Sequence, residues 1–154
     1  MQTEKSRKES LENQVELIVE EGRMVLPGIQ ALFGFQLIAV FNASFSDELP
    51  RAARILHLLA TVMVACAIAL IMAPAAYHRQ AERDRISHYF ADYASTMITV
   101  AMLPLLIALA IEVALISYVI VHSVMTAWIL GGTLALLYSL LWFVYPRWRR
   151  SRRQ

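Results

Sequence analysis

The stretch YASTMITVAMLPLLIALAIEVALISYVIV, residues 93–121, holds a single charged side chain, Glu112, and its apolar residues run all round the helix instead of forming a stripe. A soluble helix needs a polar face. Continuous apolarity over this length marks a helix that crosses a bilayer, whose hydrocarbon core of ~30 Å takes roughly 20 residues to span. Three further runs of the same kind lie at about 24–45, 55–77 and 124–145. The expected fold class is therefore all-α: a four-helix transmembrane bundle over residues 24–146. Residues 1–23 form an amphipathic cytoplasmic or interfacial segment ahead of it, and residues 147–154 a basic tail.

Composition agrees. With 58% hydrophobic and 17% charged residues, and a mean hydropathy of +0.53, the chain is too apolar for a water-soluble domain of 154 residues. A net charge of +2 excludes a general nucleic-acid binder, and the lone Cys66 excludes a disulfide framework or a thiolate metal site. The charged start lacks the apolar stretch of a cleavable signal peptide, so the first span itself is the expected insertion signal.

Direction follows from Lys and Arg, which resist translocation. With four spans both termini share a side, and that side receives 12 of the 14 basic residues, leaving only Arg51 and Arg54 opposite. Both ends are thus expected in the cytoplasm. Tyr77, Tyr89, Tyr93, Trp142, Tyr145 and Trp148 would mark the cytoplasmic interface, and Tyr118 and Trp128 the other.

Helices in lipid associate where small residues let backbones approach. Thr61, Ala65, Ala69 and Ala73 recur every fourth position in the second span, as do Gly131, Ala135 and Ser139 in the fourth, and each row predicts a packing face within the bundle or between subunits. Pro27-Gly28 predicts a bend where the leading segment meets the first span, and Pro104 a kink in the third. Before that bend, residues 10–22 place Leu11, Val15 and Ile18 on one side and Glu12, Glu16 and Glu20 on another. This acidic stripe would be repelled by anionic lipid and suits a basic partner, or the arginines at 147–153 of the tail.

Glu112 is the one acidic residue deep in a span, where a carboxylate costs roughly 2.5–3.5 kcal/mol or more. No Lys or Arg lies at comparable depth, so the expectation is a neutral acid or one facing a wet cavity, rather than a buried ion pair. Gln30, Gln36 and Asn42 make the first span unusually polar, and with Glu112 they are the candidates for an ion pathway or proton relay. Gln30 and Gln36 lie about 120° apart on the helix, so they can serve two different neighbours. His57 and His122 begin and end their spans, too near the interface to favour a haem held between them. Among catalytic motifs, HExxH, the P-loop and G-x-S-x-G are absent, so the chain is expected to be no enzyme and to need no metal or cofactor.

The segment from Glu21 to Phe35 reads E-x-R-x-x-L-P-G-x-Q-x-L-F-x-F through Glu21, Arg23, Leu26, Pro27, Gly28, Gln30, Leu32, Phe33 and Phe35. The second span ends A-P-x-x-x-H-R through Ala73, Pro74, His78 and Arg79. Over residues 16–90 the chain resembles a bacterial family of uncharacterised small four-span membrane proteins, a domain of unknown function. The resemblance implies the four-span fold and the bacterial inner membrane, and no activity. Independently of it, Glu21, Arg23, His78 and Arg79 would meet at one cytoplasmic surface, joined by Gln30. The function expected is that of a small homo-oligomeric integral membrane protein, an ion channel or an ion-coupled transporter whose partners are the bilayer, further copies of itself and a small ion. The competing class is a non-catalytic structural or regulatory membrane subunit, docked through its charged cytoplasmic segments.

Overall fold

The computed structural model describes residues 2–42, 45, 49–81 and 87–152, with side chains from Leu11 onward. Helix α1 runs Gln2–Ala39, α2 Arg51–Ala81, α3 His88–Val121 and α4 Val124–Ser139, and α4 continues through a widened turn at Leu140–Val144 into α5, Tyr145–Ser151. The fold is all-helical.

Among the described residues three helices are long and apolar enough to cross a membrane: α2, α3 and the continuous run Val124–Ser151. α1 is not among the three, because it ends at Ala39 and its apolar part from Met24 is only roughly sixteen residues, about 24 Å at 1.5 Å per residue. The charged segment and the first apolar run lie in one continuous helix. α1 continues through Pro27, which removes one N–H without stopping the backbone pattern. α2 and α3 likewise continue through Pro74 and Pro104.

α3 is the central element, with α2 on one side and α4 on the other. Its connection to α4 explains why those two are antiparallel neighbours. His122 takes the left-handed conformation (φ 53°) that terminates a helix and returns its N–H to the Tyr118 carbonyl, and Ser123 then caps the next helix by accepting from the Thr126 N–H. Two residues suffice for the reversal. At the other end of α3, Ser87 accepts from the Phe90 N–H at 3.0 Å. Ser87→Ala should lower stability by about 1 kcal/mol, measurable as a shift in an equilibrium unfolding curve in mixed micelles.

The widened turn has a local cause. Pro146 cannot donate, and its ring crowds the Trp142 carbonyl one turn back; the chain relaxes by a five-residue bond from the Tyr145 N–H to the Leu140 carbonyl. Trp142 is half-buried, stacks on Tyr138 with ring centroids 4.5 Å apart and packs against the central core.

The interior divides into three clusters. The central one joins Ile29 of α1, Ala60, Val64 and Ala67 of α2, and Leu105 and Ala108 of α3. At the end that carries the termini, Leu11 and Val15 of α1 pack on Phe90, Ala91 and Ala94 of α3, beside Ile18 and Tyr77. The amphipathic segment is thereby part of the bundle. Tyr77 lies 5.1 Å from Tyr93 and 6.0 Å from Tyr89, ring to ring, which closes this end with aromatic surface. At the opposite end, Leu49, Ala53 and Leu115 form the third cluster with Phe45 and Tyr118.

Glu12, Glu16 and Glu20 are exposed on the far side of α1, and among the described residues none of them pairs with an arginine of the tail. Arg83, Arg85 and Arg153, which the charge count also used, lie outside the described residues, as do the side chains of Lys5, Arg7 and Lys8. Changing the three glutamates to Gln should therefore leave hydrogen exchange over residues 11–18 within about 0.5 kcal/mol of the parent at any ionic strength, because only repulsion four residues apart is removed.

Candidate functional site

Gln36 stands one turn from the end of α1, His57 two turns into α2 and Glu112 about nine residues before the end of α3. All three therefore fall in the half of the bundle nearest the α1–α2 and α3–α4 turns. The antiparallel packing of the helices brings them to one level. His57 Nδ1 is 3.0 Å from Glu112 Oε1 and 3.4 Å from Oε2, and Gln36 Nε2 donates to Glu112 Oε1 at 2.8 Å. His57 Nε2 is 3.1 Å from the Gln36 backbone carbonyl. Gln36 is 3% exposed, His57 5% and the Glu112 side chain 14%.

The donor and acceptor inventory fixes much of the chemistry. A carbonyl oxygen only accepts, so Nε2 of His57 must carry a proton and donate to Gln36. Nδ1 then faces a carboxyl oxygen, and the contact is favourable only if a second proton lies between them, either on Nδ1 as imidazolium or on Glu112 as carboxylic acid. In both forms the pair is net neutral. Without that proton a lone pair would face a carboxylate, and one negative charge would remain in a poorly solvated place. The site thus joins two ionisable side chains from different helices, with a third helix bound to both.

The surroundings hold the imidazole in place. The Phe45 ring meets it edge-on, with centroids 5.1 Å apart, and Thr61 donates to the His57 carbonyl at 2.9 Å, which satisfies the hydroxyl within the helix. Oε1 of Gln36 is buried and has no hydrogen-bond partner, so the amide's orientation is set by the bond to Glu112 alone. Of the described residues, Gln36, His57 and Ser117 are the buried polar ones, and all lie in this half; Ser117 donates to the Val113 carbonyl at 2.6 Å.

The partner that Glu112 requires comes from another helix, and it is histidine, not Lys or Arg; His57 is buried within the bundle. Of the four pathway candidates, Gln36 and Glu112 come together, whereas Gln30 and Asn42 are exposed. In the proposed surface cluster Glu21, Arg23 and Arg79 are exposed, and no hydrogen bond or ion pair joins them among the described residues. His78 is half-buried against Phe90, with ring centroids 5.2 Å apart. On α2, Ala65 and Ala73 are half-buried and Ala69 exposed; the buried line is Ala53, His57, Ala60, Val64 and Ala67. On α4, Gly131 is buried and Ala135 and Ser139 half-buried, and a Cβ at Gly131 would come within 2.8 Å of the Ala110 carbonyl oxygen and of the Ala114 Cβ.

A family model described as a family of unknown function, DUF6328, matches residues 4–146, nearly the whole chain and well beyond the two motifs that suggested a relationship. The chain belongs to that family. No curated protein and no solved structure matches it.

Proposed function

We propose that this DUF6328 chain is a small homo-oligomeric integral membrane protein coupled to ion movement, with the Glu112–His57 pair as the site where a proton is taken up and released. Three apolar helices of spanning length are compatible with an integral membrane protein. The apolar half of α1 would supply the fourth crossing, with both termini in the cytoplasm of a bacterial cell as the 12 of 14 basic residues favour.

One observation carries the reading: a carboxyl group 3.0 Å from a buried imidazole and 2.8 Å from a buried amide. Ionisable groups inside a membrane are costly, and they mark ion and proton pathways. Apolar side chains would join three helices at lower cost. Coupling is favoured over an open pore within one chain, because from this cluster toward the termini the interior is Ile29, Ala60, Val64, Ala67, Leu105 and Ala108, with no buried polar side chain among the described residues. The proton would then enter from the end of the α1–α2 turn. α4 packs chiefly on α3, and its unmatched side supports assembly with further copies.

Flux of H+, K+, Na+ and Cl- into proteoliposomes under an imposed potential tests the proposal. The expected result is proton movement through the parent protein that falls to the level of empty vesicles in Glu112→Gln. No flux of any of the four through the parent contradicts it.

The exposed stripe of Glu12, Glu16 and Glu20, which pairs with no arginine among the described residues, supports a second reading, a regulatory subunit that docks a basic partner. Its test is the triple change of these residues to Gln, which leaves Leu11 and Val15 in place. That variant should lose a co-purifying partner while the bundle stays folded; a parent protein that purifies alone and carries flux contradicts this reading.

A further inference from the structure

Between Met24 and Asn42, α1 has two fully buried side chains, Ile29 and Gln36. Leu32 and Phe33 pack half-buried against the central core, and beyond them Phe35, Ile38 and Phe41 are exposed, the last at 88%. Ile29 is tied to the core by apolar contact, whereas the tip of the helix is tied at Gln36 by two polar bonds, from its amide to Glu112 and from His57 to its carbonyl. Just below Ile29 lies Pro27, where α1 lacks the backbone bond that would run to the Arg23 carbonyl.

We propose that the tip of α1 is a proton-operated latch, closed on α2 and α3 while the Glu112–His57 pair holds its shared proton and released when that proton leaves. This rests on the proton-exchange reading above and adds the element that moves. The reason lies in the imidazole's two faces. Once the pair has lost a proton, the neutral ring has one N–H for two acceptors. With the proton on Nε2, the bond to Gln36 persists but a lone pair on Nδ1 opposes the carboxylate. With the proton on Nδ1, Glu112 keeps its partner but a lone pair on Nε2 opposes the Gln36 carbonyl. Neither tautomer satisfies both α1 and α3, and only the protonated pair does.

No other group of the described interior can replace the missing proton. Thr61 of α2 and Ser117 of α3 both donate to carbonyls of their own helices, and α4 presents no titratable side chain to the pair. Arg51 and Arg54 are exposed at the start of α2, and His122 is exposed at the α3–α4 turn. Asp47 and Glu48 lie outside the described residues. The unpartnered Gln36 Oε1 is a cost of the closed state that release would remove, which keeps the two states close in free energy.

The single cysteine makes the test direct. Cys66 is exposed on α2, and Phe41→Cys adds a second label at the tip of α1. In the full chain in lipid nanodiscs, the distance between spin labels at 41 and 66 is measured from acid to alkaline pH, alongside the infrared band of the Glu112 carboxyl group. The expected result is one short distance where the proton is held and a growing population at longer distance once it is lost. In Glu112→Gln the long population should be absent at every pH, because the new carboxamide can accept from Gln36 and donate to Nδ1 while Nε2–H keeps the Gln36 carbonyl. An unchanged distance while the carboxyl band titrates overturns the latch and leaves the proton site standing. A carboxyl band that never changes overturns both.

Discussion

His57→Leu is expected to destabilise the folded bundle by about 3 kcal/mol, the lower end of the range for breaking a buried charged pair, because Glu112 keeps 14% exposure. The loss has two sources: a carboxyl group left without its partner, and the Gln36 carbonyl left without a donor. The double change His57→Leu with Glu112→Leu should recover most of the loss, since two apolar side chains of similar size can replace a buried pair at little cost. Reversible unfolding in mixed micelles gives both values. Equal destabilisation by the single and double variants would mean that the two residues act independently. Loss of activity in the double variant, despite regained stability, is the expected signature of a pair that serves function rather than fold.

Gly131→Ala should have the next largest effect, about 1–3 kcal/mol, and should loosen α4 specifically. The added methyl would meet the Ala110 carbonyl oxygen and the Ala114 Cβ at 2.8 Å, closer than real methyl contacts approach, and one of the two obstacles is backbone that cannot rotate away. Gly132, the neighbouring position, meets nothing within 4 Å and is the natural control: Gly132→Ala should be neutral or slightly stabilising through helix propensity. Hydrogen exchange that rises in α4 for the first variant and not for the second would check this. Similar behaviour of the two would contradict the close approach of α3 and α4.

The sequence makes plain which residues are apolar enough to cross a bilayer, because composition alone decides that. It shows less well where each helix turns its buried side. Thr61, Ala65, Ala69 and Ala73 look like a face because each is small, but a spacing of four drifts by 40° per step and wanders round a 3.6-residue helix. The buried line instead alternates steps of four and three, through Ala53, His57, Ala60, Val64 and Ala67, which keeps one side toward the neighbour. His57 sits on that line. Reading it as part of the alternation, instead of as the first polar residue of a span, would have placed it inside.

Glu112 is conspicuous because it is alone in its span, and Gln36 because amides are rare in apolar helices; their meeting depends on how far each lies from the end of its helix. α2 begins at Arg51, about one turn before its apolar run, so His57 stands roughly 9 Å along the helix at 1.5 Å per residue. α1 ends at Ala39, which leaves Gln36 in its last turn with a carbonyl free to accept from a neighbour. Pro27 is a similar case. Its ring predicts a bend, and the backbone stays helical through it because the helix is held on both sides, by Leu11 and Val15 at one end and Ile29 and Gln36 at the other.

The measurement that tests the shared proton most directly is the nitrogen-15 spectrum of the His57 ring in lipid bilayers, recorded for the parent and for Glu112→Gln. The account predicts a protonated Nε2 in both, and an Nδ1 resonance in the parent with the character of a strongly shared proton that reverts to an ordinary neutral ring nitrogen in the variant. An Nδ1 resonance that is the same in the two proteins would contradict it, for Glu112 and His57 would then hold no proton in common.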